Sequence, residues 1–196
     1  ASNGARQWEG IPFASPPVGQ LRWALPSPPS SWAPTLRSFT RLTPSCQQTF
    51  PGGLNPGVPT ANPSEDCLYL NIYAPTVSNT SVTLPVLFWI HGGGYNIGWP
   101  TQTPGNILAV QNNVVVVTVA YRLNVFGWAA FPSQQSANLG LYDQQFALKW
   151  VKENIKAFNG DPNNVVIFGE SAGGGSGFYH TMNMKNRGLF KGIIAQ

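Results

Sequence analysis

Charged side chains are scarce in this chain: only 9% of its 196 residues are Asp, Glu, Lys or Arg, whereas 42% are hydrophobic. A composition so apolar and so weakly charged excludes an intrinsically disordered region. The eleven basic and seven acidic residues give a net charge of +4, yet no two basic residues are adjacent. Because a nucleic-acid-binding surface needs a clustered basic stripe, nucleic acid is excluded as a partner.

Long hydrophobic runs are missing as well. The most apolar stretches lie around Val86–Ile90 and Val114–Ala120, and each is far shorter than the roughly 18 residues that a transmembrane helix requires. We therefore expect a soluble chain without a transmembrane segment. No internal repeat is visible, and the length suffices for one domain with a real core, or for part of one.

The chain has two cysteines, and their number and spacing limit the kinds of site that they can form. Cys46 and Cys67 stand too far apart for a redox Cys-x-x-Cys motif and are too few for a zinc site, so we expect no metal. We favour one disulfide that closes a surface loop, and two unrelated buried thiols are the alternative. Asn79-Thr80-Ser81 is an N-glycosylation sequon in a polar turn. Together with a disulfide, this sequon favours a secreted protein.

The second half of the chain alternates between strand-like and helix-like segments. Leu68, Leu70 and Ile72 form an alternating pattern that is typical of a strand with one face in water. Three later runs are apolar throughout and predict strands buried on both faces, namely 86–90, 114–120 and 165–168. Helical spacing predicts a helix over about 141–158, and a second helix is expected over about 172–182, after the strand at 165–168 and the glycine-rich segment that follows it. This order predicts a parallel sheet covered by helices on both faces.

The two ends of the chain depart from this alternation. Residues 1–65 are rich in Pro, Gly and Ser, which predicts coil and short edge strands. At the other end, Gly192-Ile193-Ile194-Ala195 begins a further strand, and the sequence stops inside it. We therefore expect a longer polypeptide that continues beyond Gln196.

Ser171 is the strongest candidate for a catalytic residue. It stands in Gly169-Glu170-Ser171-Ala172-Gly173, a Gly-x-Ser-x-Gly pattern between a predicted strand and a predicted helix, which is the context of a nucleophile elbow. The two glycines leave room for a sharp turn that projects the serine hydroxyl from the carboxyl edge of the sheet. The alternative is a glycine-rich turn with an incidental serine.

A second glycine-rich segment, His91-Gly92-Gly93-Gly94, follows another predicted strand. Its backbone N–H groups can approach a tetrahedral oxyanion without obstruction by side chains. A phosphate-binding loop is the alternative, but the segment lacks both the Gly-x-Gly-x-x-Gly spacing and the Lys-Ser/Thr ending. The sequence thus indicates no nucleotide, and we expect no cofactor.

Several short motifs stand in a fixed order along the chain: Gly10-Ile11-Pro12-Phe13-Ala14, Pro16-Pro17-Val18-Gly19, Leu21-Arg22-Trp23, Ser64–Asn71, His91–Gly94, Asn138–Gln144, Gly160-Asp161-Pro162 and Gly169–Gly174. In this order the sequence resembles the type-B carboxylesterases. That family includes cholinesterases, fungal lipases and the non-catalytic neuroligins. The resemblance covers essentially the whole chain.

The resemblance implies an α/β-hydrolase fold, with residues 1–196 as the N-terminal part of a single domain that is truncated at its C-terminus. It implies Ser171 as the acyl-forming nucleophile. The N–H groups of Gly93, Gly94 and Ala172 would form the oxyanion hole, and Glu170 is expected to be buried near the site.

The resemblance also implies the disulfide between the two cysteines and two ion pairs, Arg22 with Glu65 and Arg122 with Asp143. Cholinesterases carry a Trp-Asn-Pro inside the disulfide loop, where the aromatic face binds a quaternary ammonium. The corresponding segment here is Leu54-Asn55-Pro56, which disfavours choline esters.

The histidines depart from the family pattern. In α/β hydrolases an acid and then a histidine follow the nucleophile, and this family places both beyond the residues of this chain. His91 precedes the oxyanion loop, and His180 would lie about 13 Å along a helix from Ser171. We expect neither to be the general base. His91 is expected to order its own loop, and His180 to be a helix-surface or packed histidine.

Two functions fit these observations. The first is a secreted serine esterase or lipase that hydrolyses small-molecule or lipid esters in its full-length form, whereas the isolated chain is nearly inert without its base. The second is a neuroligin-like adhesion module that binds a partner protein. Such modules usually lose the elbow serine, so the intact Ser171 disfavours this alternative.

Overall fold

The computed structural model describes residues 4–31, 35, 39–40, 43–48, 61–77, 82–131 and 137–196. Within these residues the strands are β1 (Ala5–Pro12), β2 (Pro44–Cys46), β3 (Ala61–Ser64), β4 (Tyr69–Pro75), β5 (Leu84–Ile90), β6 (Val115–Val119), β7 (Gly160–Gly169) and β8 (Gly192–Ala195). The α-helices in the same ranges are α1 (Asn106–Asn112), α2 (Asn124–Trp128), α3 (Leu139–Asn154) and α4 (Ala172–Met182).

Six of the described strands form one mixed sheet in the order β1-β4-β6-β5-β7-β8. Strands β6, β5, β7 and β8 are parallel, whereas β4 runs antiparallel to both β1 and β6. The prediction of a parallel sheet is therefore confirmed for four strands and wrong for β4. Only residues 76–83 connect β4 to β5, and this is too short for the helical crossover that parallel strands need.

Strand β4 is buried on both faces, so the expectation of a water-exposed face is wrong. Leu70 and Ile72 belong to the main core. On the other face, Tyr73 packs in a second cluster, and Asn71 donates a hydrogen bond from its side-chain amide to Thr118 Oγ1 at 3.2 Å. A polar residue that is paired inside the sheet gives the same sequence pattern as one that faces water.

Helices pack on both faces of the sheet, as predicted. On one face, Leu148 of α3 packs in the same core as Val117 of β6. On the other face, Ala109 of α1 packs against Tyr73 and Val116. Because adjacent residues of a strand point to opposite sides, Val116 and Val117 mark the two faces.

Helix α4 packs on the same face of the sheet as α3. A Cβ at Gly177 would lie 3.5 Å from Ile167 of β7, whose side chain belongs to the main core. Both predicted helices are present, and α3 continues as a 3-10 turn over Ile155–Phe158. The strand predicted from Gly192 is β8, and β1 is an edge strand within the segment where edge strands are expected. The carboxyl ends of β5 and β7 thus meet at one edge, beside the start of α4.

Candidate active site

Ser171 lies in a tight turn between β7 and α4, at the carboxyl edge of the sheet. Its backbone has a φ of 55° and a ψ of −120°, a conformation that residues other than glycine rarely adopt. A Cβ at Gly173 would lie 2.0 Å from the carbonyl oxygen of Ile90, and a Cβ at Gly169 would lie 2.5 Å from the carbonyl carbon of Gly173. The turn therefore requires glycine at both positions, as the sequence pattern predicts.

Backbone hydrogen bonds hold this turn from two sides. The N–H of Gly173 donates to the carbonyl of Glu170 at 2.9 Å, which closes the turn itself. The N–H of Ser171 donates to the carbonyl of Gln196 at 2.7 Å, and the N–H of Gln196 donates to the carbonyl of Gly169 at 3.0 Å. The strained serine is thus fixed to the residue that follows β8.

The segment His91–Gly94 follows β5, the neighbour of β7, and reaches the same edge of the sheet. A Cβ at Gly92 would lie 3.2 Å from the Cβ of Ser171 and 2.7 Å from the carbonyl oxygen of Glu170. Gly93 and Gly94 take positive φ values of 108° and 60°. The loop therefore meets the serine turn at a point where no side chain fits.

Three backbone N–H groups at this junction have no acceptor among the described residues. Within the part of the chain that the structure describes, the N–H groups of Gly93, Gly94 and Ala172 donate no hydrogen bond. The N–H groups of Asn96 and Ile97, by contrast, both donate to the carbonyl of Gly93 at 3.1 Å. Ala172 is the first residue of α4, where the helix dipole is positive. Unpaired donors at such a place suit a negatively charged oxygen.

His91 is buried and orders the glycine loop, as expected. Its ring stacks on Tyr121 with centroids 4.4 Å apart, and its Nδ1 lies 2.8 Å from the carbonyl oxygen of Gly92. Tyr121 Oη donates to the carbonyl of His91 at 2.7 Å. Burial lowers the pKa of His91 to about 4, so the ring is neutral at neutral pH. A ring held in this way is not available to deprotonate Ser171.

His180 is a packed histidine on α4. Its Nε2 donates to Gln144 Oε1 at 2.9 Å, and its Nδ1 accepts from Asn186 Nδ2 at 3.0 Å. Burial lowers the pKa of His180 to about 4. Ser171 itself is exposed, and its Oγ has no hydrogen-bond partner among the described residues. Neither histidine of the chain is therefore positioned as a base.

Glu170 is exposed among the described residues, and its burial in the longer polypeptide stays a prediction. Its carboxylate still lies next to the glycine loop, since a Cβ at Gly92 would be 2.7 Å from Glu170 Oε2. The side chain stands at the open edge of the sheet, and none of the described segments covers it.

The expected disulfide and both expected ion pairs are present. Cys46 and Cys67 are joined, with their Cα atoms 4.9 Å apart. Arg22 contacts Glu65 at the surface, whereas Arg122 pairs with Asp143 in the interior. The segment Leu54-Asn55-Pro56 and the sequon residue Asn79 lie outside the described residues.

Comparison with known proteins agrees with this geometry. A model of the carboxylesterase family matches residues 1–196. The chain belongs to the carboxylesterase family.

Individual relatives match nearly the whole of this chain. The para-nitrobenzyl esterase of Bacillus subtilis (strain 168) is 46% identical, over 99% of this chain and 40% of that protein. The cocaine esterase of Homo sapiens is 42% identical, over 100% of this chain and 36% of that protein. The solved structure of a thermophilic PNB esterase matches with a TM-score of 0.90 and 45% identity, over 100% of this chain and 41% of that one. The chain has the expected α/β-hydrolase fold and spans about 40% of the length of these relatives.

Sequence reasoning missed a group of buried polar residues behind Ser171. Gln144, Gln145, Ser176, His180 and Asn186 are each at most 6% exposed and are joined by hydrogen bonds. The sequence offers only a weak signal for this group: Ser176 and His180 are four residues apart and so share one face of α4. Their partners in α3 could not be assigned without the tertiary structure.

No group of three potential metal ligands occurs among the residues described. In the same residues, no helix is long and apolar enough to cross a membrane. An open cavity of about 470 Å³ borders the glycine loop, and its lining includes Gly94, Tyr95, Asn124 and Trp128 but no charged side chain.

Proposed function

We propose that the protein to which this chain belongs hydrolyses neutral carboxylic esters through an acyl-enzyme intermediate on Ser171. The strained serine turn carries this proposal, because it lies against Gly92 and is flanked by the unpaired N–H groups of Gly93, Gly94 and Ala172. A nucleophile beside three free donors is the arrangement that acyl transfer needs.

In the proposed reaction, Ser171 Oγ attacks the ester carbonyl carbon and its proton passes to a general base. The three N–H groups stabilise the oxyanion of the tetrahedral intermediate, which collapses as the alcohol leaves with that proton. Water then attacks the acyl-enzyme in the same way, and the acid is released. Each oxyanion donor typically contributes on the order of 10²–10³ in rate.

The base is proposed to come from polypeptide outside these 196 residues. His91 and His180 are both engaged elsewhere, and α/β hydrolases place an acid and then a histidine after the nucleophile. We propose that residues 1–196 are the N-terminal part of one catalytic domain. Without the base, the rate falls by about 10⁶, so the isolated chain is expected to be nearly inactive.

The proposed substrates are small-molecule or lipid esters without charge, and no cofactor takes part. The uncharged lining of the cavity beside Gly94 supports neutral substrates, as does the name of the para-nitrobenzyl esterase. The relatives' names do not favour the adhesion alternative. We further propose that the protein is secreted and glycosylated at Asn79, which the Cys46–Cys67 disulfide supports.

The test uses the full coding sequence that contains this chain, expressed through a secretory pathway. Para-nitrophenyl butyrate hydrolysis and labelling by a fluorophosphonate are measured for the wild type and for Ser171→Ala. We expect hydrolysis and labelling at Ser171 in the wild type and loss of both in the variant. A folded wild-type protein that neither hydrolyses the ester nor reacts with the phosphonate would contradict the proposal and favour a binding module. A glycosidase-induced mass shift that is absent in Asn79→Gln tests the sequon.

A further inference from the structure

The glycine loop folds back on itself after it leaves β5. The carbonyl of Gly93 accepts hydrogen bonds from the N–H groups of Asn96 and Ile97, both at 3.1 Å. A Cβ at Gly93 would lie 2.1 Å from the carbonyl oxygen of Ile97, so the two ends of the loop are in direct contact. The direction in which the N–H groups of Gly93 and Gly94 point therefore depends on where the returning end, residues 95–98, is held.

The side chain of Gln48 holds this returning end at Gly98. The N–H of Gly98 donates to Gln48 Oε1, and Gln48 Nε2 donates to the carbonyl of Gly98, each at 2.9 Å. Gln48 Nε2 also donates to the carbonyl of Cys46 at 3.0 Å. Gln48 is only 4% exposed, and these bonds use its oxygen and both of its N–H donors. The side chain thus pairs with the backbone of Gly98 at two points, as a residue of a neighbouring antiparallel strand would.

On its other side, Gly98 meets the beginning of the loop. A Cβ at Gly98 would lie 2.2 Å from His91 Nδ1 and 2.7 Å from the carbonyl oxygen of Gly92. Gly98 is buried and is therefore enclosed between Gln48 and the residues that open the loop. An apolar side chain in place of Gln48 would leave the buried N–H and carbonyl of Gly98 without these partners, and this loss favours a displacement of the loop towards water.

Gln48 is itself anchored to the main sheet. It stands two residues after Cys46, the last residue of β2, which the disulfide joins to Cys67. Cys67 lies just before β4, a strand of the six-stranded sheet. Both cysteines are at most 3% exposed. The disulfide therefore fixes the position from which Gln48 reaches the loop.

A second contact joins the same segment to the loop. Asn124, the first residue of α2, donates from its Nδ2 to the carbonyl of Gln47 at 2.7 Å. The backbone N–H of Asn124 donates to the carbonyl of Tyr95, also at 2.7 Å. Tyr95 follows Gly94 directly. Residues 46–48 are thus connected by hydrogen bonds to both ends of the segment 95–98.

We propose that Gln48 is a positioning residue for the oxyanion hole. Its two-point bond to Gly98 fixes the loop so that the N–H groups of Gly93 and Gly94 meet the oxyanion. The amide of Gln48 is fully used by backbone groups, so it acts through the loop and not on the substrate. Donors that face the oxyanion stabilise the transition state more than the bound ester, so a displaced loop lowers kcat and leaves KM nearly unchanged. The proposal rests on the proposed ester hydrolysis.

Asn71 provides a matched control in the sheet. Its Oδ1 accepts from the N–H of Gly10 at 2.9 Å, and its Nδ2 donates to Thr118 Oγ1 at 3.2 Å. Asn71 is 1% exposed. Like Gln48, it is a buried amide that binds the backbone N–H of a glycine. Its partners lie in β1 and β6, and neither belongs to the glycine loop.

The experiment compares Gln48→Met with Asn71→Leu in the full-length protein. Each change replaces an amide by an apolar side chain of similar size. We expect kcat for para-nitrophenyl butyrate to fall about 100-fold in Gln48→Met, with KM within about twofold, because a displacement of about 1 Å can cost that much in rate. Asn71→Leu should lower Tm but leave kcat within about twofold. Equal losses of kcat in the two variants would overturn the proposal, since general destabilisation would then account for both.

Inhibition by an alkyl trifluoromethyl ketone gives a readout that a loss of stability alone does not move. Ser171 Oγ adds to the ketone carbon and its proton passes to the base, while the carbonyl electron pair moves to oxygen, which becomes an oxyanion in the site. The Ki should rise in Gln48→Met by about the factor by which kcat/KM falls, and it should stay unchanged in Asn71→Leu. A fall in kcat with an unchanged Ki would overturn the proposal, because the oxyanion donors would not have moved.

Hydrogen–deuterium exchange of the amides at residues 93–98 tests the contact without any activity measurement. Exchange should accelerate in Gln48→Met but not in Asn71→Leu, and equal exchange in Gln48→Met and the wild type would overturn the hold on Gly98. An inactive wild type would overturn the proposed hydrolysis instead, and the exchange data would still decide whether Gln48 holds the loop. If Gln48→Met does not fold, Gln48→Asn answers the same questions, because its amide is one methylene too short to bond both groups of Gly98.

Discussion

Arg122 and Asp143 form a two-point ion pair inside the protein. Arg122 Nε donates to Asp143 Oδ2 and Arg122 Nη2 donates to Asp143 Oδ1, both at 2.8 Å, and the side chains are 4% and 0% exposed. The backbone N–H of Arg122 also donates to Asp143 Oδ2 at 3.0 Å. The pair fixes the chain after β6 to the first turns of α3, which places α3 behind the serine helix.

The first prediction concerns this pair. Asp143→Asn leaves the guanidinium buried without a counter-charge, so we expect the free energy of unfolding to fall by about 3–5 kcal/mol. Glu65→Gln, which breaks the surface pair with Arg22, is the control and should change Tm little. Thermal or chemical unfolding of the full-length protein measures both. Equal decreases in the free energy of unfolding of the two variants would show that burial does not determine how much each ion pair stabilises the protein.

The second prediction concerns the serine turn. Gly173→Ala places a Cβ 2.0 Å from the carbonyl oxygen of Ile90, whereas Gly192→Ala places one in open space. We expect Gly173→Ala to lose phosphonate labelling of Ser171, because the turn cannot close against β5. Gly192→Ala should be labelled at the wild-type rate. Normal labelling of Gly173→Ala would mean that the turn tolerates a side chain there.

The third prediction is a pH dependence of stability. Burial lowers the pKa of His91 and of His180 to about 4, while the unfolded chain keeps values near 6.5. As pH falls from about 6.5 to 4, the unfolded state therefore binds protons that the folded state does not. The stabilisation is complete above about pH 6.5 and is lost towards pH 4, on the order of 3 kcal/mol for each histidine.

Measurements of Tm between pH 7.5 and 4 test this dependence. His180→Gln removes the contribution of one histidine, so its Tm should fall less steeply with acid than that of the wild type. Parallel curves for the two proteins would exclude His180 as a source of the acid sensitivity.

The fourth prediction concerns the disulfide. Replacing both Cys46 and Cys67 by Ala should lower the free energy of unfolding by about 3 kcal/mol, because the unfolded chain regains the freedom of the closed loop. Reduction of the wild type by dithiothreitol should give the same decrease in Tm. A variant with the same Tm as the oxidised wild type would show that the disulfide does not stabilise the protein by constraining the unfolded chain.

Sequence patterns predicted those parts of the fold that depend on local rules. Strands β5, β6 and β7 are apolar on both faces because helices cover both sides of the sheet. The turn at Ser171 was predictable because Gly169 and Gly173 are both required by close backbone contacts. The glycine loop was predictable for the same reason, since only glycine fits at position 92 against Ser171.

The sequence-based predictions were wrong where residues from distant segments determine the burial or the direction of a strand. The exposure of β4 was mispredicted because Asn71 is paired with Thr118 across strands. The direction of β4 follows from the short connection to β5, which periodicity does not reveal. The buried hydrogen bonds of Gln144 with Ser176 and His180 join α3 to α4, and neither helix alone carries a recognisable pattern for them.

The pairing of β5 with β7 has a consequence for when the serine turn can form. Ile90 pairs with Gly169, and these residues are widely separated in sequence. Contacts of this kind form late in folding, because closing a long loop costs entropy before the contact repays it. Until that pairing forms, Ser171 has neither its strained backbone nor the neighbouring glycine loop. In a nascent or misfolded chain we therefore expect Ser171 to react like any other serine, so that the proposed reactivity at this position would report completed folding.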